Sequence, residues 1–202
     1  TDMLAGVSHD LRTPLTRMKL QISLIKDKKA QSELELDINE MTAMLDSYVS
    51  FVKTESPESI ENINVNDIIR DCVKNLVEIN FDIKIEQKNN LDTSGRPIQL
   101  KRAFQNIVDN SSRYGDKILI KIFEDENGYN IEFHDNGQGI PANMYEDVFK
   151  PFFTLDPARN KLKGESGLGL TITRDIIRSH GGEIKLGKSE LGGLKLLVLL
   201  PI

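Results

Sequence analysis

Two amphipathic stretches at the start of the chain limit most strongly what it can fold into. From Leu4 the apolar residues fall at Val7, Leu11, Leu15, Met18, Ile22 and Ile25, in steps of three and four. That spacing is the seam of a long helix. The polar turn "KDKKAQS" follows, and the pattern resumes at Leu34, Ile38, Met41, Leu45, Tyr48 and Val52. The two stretches predict an antiparallel helical hairpin. Two helices with one apolar stripe each cannot enclose a core. Pairing two hairpins into a four-helix bundle solves this, so the sequence predicts a homodimer. The competing arrangement packs the hairpin on the C-terminal half of its own chain.

"TESPES", residues 54–59, breaks the helical pattern and reads as a linker. Beyond it the elements are mixed. Residues 64–79 predict a helix, and "FDIKIEQ" alternates as a strand. Pro97 suits the first turn of a helix running to about Arg113. "KILIKIFE" and "YNIEFHD" predict two strands around "DENG". A loop-rich stretch spans 136–166, with a short helix near Met144. A helix then runs from about Leu168 to Ser179 and stops at Gly181 and Gly182. "GEIKLG" and "LKLLVLLP" close the chain as a hairpin. The fold class expected is α+β, with domains at 1–55 and 60–202.

Composition narrows the function. The net charge is −5, which argues against a general nucleic-acid binder. "LLVLL" is far too short to cross a bilayer. The single cysteine, Cys72, excludes an intrachain disulfide and suits a reducing compartment. Its neighbours Ile68, Ile69, Val73 and Leu76 place it in the core. Thr1 opens directly in a helical pattern with no cap before it, as expected of a piece of a longer chain.

Within "HDLRTPLTRMKL", His9 lies two residues from Val7 and from Leu11. Two residues turn a helix by about 200°, so His9 faces away from the apolar seam. Thr13, four residues on, shares its face. Asp10 is adjacent and can orient the imidazole from the side. A metal site would need further ligands, and His134 and His180 are far away in sequence. An exposed neutral imidazole is a competent nucleophile. Pro14 lacks an amide donor and is expected to loosen or kink the helix.

The second half supplies phosphate-binding character. Leu100, Ala103, Phe104, Ile107, Val108 and Ser111 form one stripe of a helix, edged by Asn106, Asn110 and Arg113. Two amides and a guanidinium at a core's rim suit a hydrated cation and phosphates; a solvated polar face is the competing reading. In "FHDNGQGI", Asp135 shares strand parity with Tyr129, Ile131 and Phe133 and points to the apolar side. A buried carboxylate needs a partner, and a purine amino group is a suitable donor. Gly137 and Gly139 let the backbone pass close to a ligand. His134 has the opposite parity and reads as a surface residue. "GESGLGLTITRDIIRSHGG" is a glycine-rich loop entering a helix whose free amides favour phosphate. Between these lies "FKPFFTLDPARNKLKGES", which reads as a mobile lid carrying Arg159, Lys161 and Lys163. Phe149, Phe152 and Phe153 either latch it by burial or belong to the ordinary core.

These residues resemble the boxes of bacterial sensor histidine kinases. "SHDLRTPL" is similar to the H-box, "NIVDNSSRYG" to the N-box, "DNGQGI" to the G1 box, "FKPFF" to the F-box and "SGLGL" to the G2 box. The resemblance covers nearly the whole chain. It implies a dimerisation and phosphoacceptor hairpin forming a four-helix bundle, followed by a Bergerat-type (GHKL) ATP-binding domain. "AGVSHDLRTPLTRMKL" and "KRAFQNIVDNSSRYG" resemble most the EnvZ-like osmosensor subgroup. By this resemblance His9 is the phosphoacceptor, Asp10 its activating acid or base, and Thr13 supports dephosphorylation of a response regulator. Asn106 and Asn110 would hold magnesium. Arg113 would approach phosphates, Tyr114 the base, and Asp135 the adenine amino group of ATP. Gly137, Gly139, Gly167, Leu168 and Gly169 would shape the pocket, and Arg159 would stand near the terminal phosphate. The implied partners are a second copy and a response-regulator receiver domain. The full-length protein would be anchored at the inner membrane, with this segment on its cytoplasmic face and not touching the membrane.

One position departs from the pattern: Glu165 stands where the G2 box commonly has its first glycine. That departure favours an alternative, a non-catalytic dimerisation and docking module with a degenerate nucleotide pocket. A Bergerat ATPase that hydrolyses ATP to water would need a catalytic acid where this chain has Asn106, and it leaves the exposed His9 unexplained.

Overall fold

The computed structural model describes residues 2–53, 58–78, 81–126, 128–155 and 167–202. The chain divides into two compact units, residues 1–57 with 150–168, and residues 58–149 with 169–202.

The first unit contains helices α1 (Asp2–Ile22) and α2 (Lys28–Lys53), which pack on each other. The turn between them is shorter and earlier than the polar stretch suggests. Asp27 ends it, its carboxylate accepting from the amides of Lys29 (2.9 Å) and Ala30 (3.3 Å). This is an N-cap, and it starts α2 at Lys28, the third residue of the expected turn. Pro14 lies within α1, which stays helical through it. The described core is small: Leu15, Ile22 and Ile38, with Ile25 and Leu45 packed against it.

The second unit is a two-layer sandwich. Its sheet has five strands, β2 (Asp82–Gln87), β4 (Lys117–Asp125), β5 (Gly128–Asp135), β6 (Glu183–Lys188) and β7 (Leu194–Leu200), in the order β2-β4-β5-β7-β6. Only β2 and β4 run parallel. Helices α3 (Val65–Glu78), α4 (Pro97–Tyr114) and α5 (Gly169–Ser179) pack as a layer against it. The six-residue stripe of α4 is buried throughout and meets the inward residues of β4 and β5, including Ile118, Ile120, Ile131 and Phe133. Cys72 is buried on α3, and burial pushes its thiol up to about 12.

Two elements have no counterpart in the sequence reading. Strands β1 (Glu61–Asn64) and β3 (Asp92–Gly95) pair antiparallel as a separate ribbon. Glu58, inside the expected linker, caps α4: its two carboxylate oxygens accept from the amides of Ile98 (2.6 Å) and Gln99 (3.2 Å). The N-cap residue of α4 itself, Arg96, makes no side-chain cap. Helix α5 ends as expected. Gly181 has φ +74°, and the amides of Gly181 and Gly182 donate to Arg178 O and Ile177 O.

Candidate functional site

The best-defined polar feature of the second unit is the junction between the end of β5 and the end of α4. Asp135 is the last residue of β5 and faces inward, as its parity predicts. It is 5% exposed, yet not without partners: Oδ1 accepts from the amides of Gly137 (2.9 Å) and Leu194 (3.0 Å). Burial raises its carboxyl above the ordinary aspartate value, while those two bonds and the nearby His134 pull the other way. Gly137 sits against the end of α4. A Cβ there would lie 2.9 Å from Tyr114 O and 3.1 Å from Asp135 Oδ1. Gly139 has φ +70°, in the left-handed region that favours glycine.

The turn after β5 is tied to the start of β4 by Asn136. Its Oδ1 accepts from the amides of Asp116 (3.0 Å) and Lys117 (3.1 Å), and its Nδ2 donates to Asp116 Oδ1 (2.7 Å). Sequence reasoning gave Asn136 no role. Its position inside "DNG" was the available signal, because Asn side chains readily close local backbone turns.

On α4, Asn106 and Asn110 are partly buried one turn apart, and Arg113 is exposed. Asn106 Nδ2 donates to Gly169 O (3.2 Å) and to Thr173 Oγ1 (3.5 Å), joining α4 to the first turn of α5. That fixes the amide's orientation, with its carbonyl oxygen turned away from these two acceptors. Hard cations such as magnesium take oxygen donors and need few from the protein when phosphates supply the rest. Among the described residues there is no cluster of three His, Cys, Asp or Glu placed to hold a metal. Two amide oxygens alone do not fill a cation's shell, so this donor set would suit magnesium only with phosphates supplying the remaining oxygens.

Phe149 is buried against α5. Thr171 Oγ1 donates to its carbonyl (2.9 Å), and the Arg174 guanidinium lies 4.6 Å from its ring centroid. Arg174 carries no signal in the sequence patterns. Phe152, in contrast, is 49% exposed with φ 63°, so its ring does not latch anything by burial. In the other unit, the amide of Phe152 donates to Gly167 O (3.1 Å), and Gly167 has φ +63°. A Cβ on Gly167 would lie 2.8 Å from the Phe152 carbonyl carbon, so only glycine fits this closed base. Leu168 is buried, and Gly169 is the first residue of α5. Arg159, Lys161, Lys163 and Glu165 lie outside the described residues.

His9 and Asp10 lie on the α1 backbone, with side chains outside the described set, and Thr13 is exposed. The other two histidines are packing residues. His180 accepts the Arg96 amide at Nε2 (3.0 Å). His134 corrects the surface reading: it is 4% exposed. Its strand face is covered by Glu132 on its own strand and by the turn between β6 and β7, contacts that parity alone cannot anticipate.

Residues 95–202 match the histidine kinase-, DNA gyrase B- and HSP90-like ATPases. The chain belongs to that family. Residues 1–57 match the His Kinase A (phospho-acceptor) domain. The two matches together are those of a phospho-acceptor domain followed by an ATPase domain of the histidine kinase type. The sensor histidine kinase CpxA of Escherichia coli is 34% identical over 213 residues, covering 99% of this chain and 46% of CpxA. The sensor histidine kinase GtrS of Pseudomonas aeruginosa is 29% identical over 201 residues, covering 98% of this chain and 41% of GtrS. The chain thus spans less than half the length of these two relatives. Among solved structures, the catalytic domain of the histidine kinase ThkA superposes with a TM-score of 0.62 at 27% identity, over 71% of this chain and 95% of that one. Full-length ShkA covers 99% of this chain and 45% of its own length, with a TM-score of 0.71 at 18% identity, a likeness of fold. Among the described residues no helix is long and apolar enough to cross a membrane.

Proposed function

We propose that this histidine kinase core autophosphorylates His9 from ATP and passes the phosphoryl group to an aspartate of a response regulator. The observation that carries the reading is the buried Asp135 carboxylate beside Gly137, at the end of the helix that bears Asn106 and Asn110. A purine amino group is the donor such an acceptor suits, and the polar edge of α4 suits the triphosphate.

On this reading residues 1–55 are the dimerisation and phosphotransfer domain, and residues 60–202 bind ATP. Tyr114 flanks the base. Gly137, Gly139, Gly167, Leu168 and Gly169 leave the backbone close to the nucleotide. Arg113 and Arg159 face phosphates. Asn106 and Asn110 hold the magnesium ion, which when bound neutralises phosphate charge. The His9 imidazole attacks the γ-phosphorus in line, the bond to the β-phosphate oxygen breaks, and ADP leaves. Asp10 takes or orients the imidazole proton. Positioning and charge stabilisation provide most of the rate. Thr13, on the face of His9, orients water for dephosphorylation of the regulator. The two units must come together for transfer, and residues 54–59 link them. The whole protein is anchored in the inner membrane with this core on the cytoplasmic side. The EnvZ-like osmosensor assignment rests on the two stretches quoted above.

Incubation with γ-labelled ATP and magnesium tests the reading. The wild type takes up acid-labile label and His9→Gln takes up none; undiminished labelling of His9→Gln removes the assignment. Thr13→Ala keeps autophosphorylation and loses regulator dephosphorylation.

A further inference from the structure

The side chain of Asn136 has no place in the proposed reaction, yet it ties together the two walls of the proposed base slot. One wall is the end of α4, with Tyr114. The other is Asp135 with Gly137. The antiparallel ladder between β4 and β5 ends at the pair Ile118 and Asp135. Beyond that pair Asn136 carries the connection on. Its Oδ1 accepts from the amides of Asp116 (3.0 Å) and Lys117 (3.1 Å), and its Nδ2 donates to Asp116 Oδ1 (2.7 Å). The point it grips is itself held. Asp116 O accepts from the Asp82 amide of β2 (3.2 Å), and Lys117 pairs with the Asp82 carboxylate (2.7 Å).

Gly115, the residue that ends α4, shows how tightly this joint is packed. Its backbone is extended, with φ −131° and ψ −177°, a conformation any residue adopts. What demands glycine there is room: a Cβ would fall 2.5 Å from Asn136 Oδ1 and 3.2 Å from the Gly137 nitrogen. On the far side Gly137 lies against the Tyr114 carbonyl, and its amide donates to Asp135 Oδ1 (2.9 Å). A shift of the turn therefore moves a donor that aims the carboxylate. Asn136 itself is exposed, so its bonds set the geometry of the joint without filling the core.

We propose that Asn136 is a positioning residue that sets the purine specificity of the nucleotide site: it holds the end of α4 in register with Asp135, so that a 6-amino purine is accepted and a 6-oxo purine is refused. The inference rests on Asp135 being the adenine acceptor and Tyr114 flanking the base. An ionised carboxylate only accepts hydrogen bonds. A 6-amino purine offers it an N–H. A 6-oxo purine offers an oxygen at the same place, and meets the carboxylate with its ring N–H only by sliding within the slot. Walls held in register forbid that slide.

Calorimetric titration of the 202-residue chain with ADP and with inosine diphosphate tests this, in the presence of magnesium. The quantity read is the ratio of the two affinities, which a loss of folded protein leaves unchanged. The wild type prefers ADP by at least about tenfold, and Asn136→Ala cuts that preference about fivefold. Gly115→Ala, which displaces the Asn136 side chain, does the same. Asn136→Asp sets a second carboxylate against Asp116 and also loses the preference. The paired exchange, Asn136→Asp with Asp116→Asn, restores a donor facing an acceptor and brings the preference back. A wild-type ratio in Asn136→Ala, with the ratio lost in Asp135→Asn, overturns the role of Asn136 alone. A wild type without preference, or an Asp135→Asn variant that keeps it, overturns the adenine-acceptor reading and this inference with it. Where Asn136→Ala does not fold, Gly115→Ala and the paired exchange decide.

Discussion

Asp135 shows how one side chain can carry both a cost and a proposed function. Its carboxyl is raised by burial, so its charged form is disfavoured in the folded chain. In the unfolded chain it titrates near 3.9. For an acid with a raised folded value, the native state binds the proton more tightly. Stability is therefore lost as pH rises through that window and recovered below about 4. Asp135→Asn keeps an oxygen for the Gly137 and Leu194 amides and carries no charge. Thermal unfolding without nucleotide is expected to show this variant melting above the wild type at pH 7, the difference shrinking as pH approaches 4. The same variant cannot accept a purine amino group as a carboxylate does, and ATP affinity should fall at least about tenfold. A variant that melts lower at pH 7 contradicts the desolvation account. Strand parity was enough to aim Asp135 inward, because residues 129, 131, 133 and 135 share one face. The same parity misled for His134. What covers its face is a turn fifty-six residues later, and only pairing of β5 with β7 brings it there.

Helices and strands with long apolar periods were legible in the same way. The stripe on α4 is buried residue for residue, and the core face of β4 and β5 follows its alternation. The β1–β3 ribbon was not legible. "ENIN" and "DTSG" carry almost no apolar alternation, and each forms a strand only because the other pairs with it. The cap of α4 was hidden for a related reason. Arg96 is a poor N-cap residue, and the helix takes its cap from Glu58 instead. A carboxylate at a helix N-terminus satisfies free amides and meets the positive end of the helix dipole. Glu58→Ala is expected to lower the stability of the ATP-binding unit by about 1 kcal/mol in urea unfolding, with Glu58→Gln losing less. Equal stability of all three proteins would show that water replaces this cap at no cost. The contact also fixes where the linker ends, since Glu58 is bound to the helix that carries Asn106 and Asn110.

For the molecule as a whole, the unmet demand is on the helical hairpin. Leu15, Ile22 and Ile38 are buried, but Met18, Leu34 and Met41 of the same stripes stay 44%, 41% and 52% exposed. They alternate with buried positions along one face, so each helix offers a stripe wider than a single neighbour covers. On the proposed reading a second copy of the hairpin presents the same stripe, and the pair would close a four-helix core. Association of that kind would bury methionine and leucine side chains that water otherwise surrounds. Met41→Glu places two charges, one from each copy, into that core, and should raise the dimer dissociation constant by at least about a hundredfold. Leu24 is 81% exposed and lies in the turn, off the stripe, so Leu24→Glu should leave the dimer intact. Sedimentation equilibrium of the 202-residue chain separates these outcomes. A dimer that survives Met41→Glu as well as Leu24→Glu would place the interface elsewhere, and the apolar seam would then need another partner.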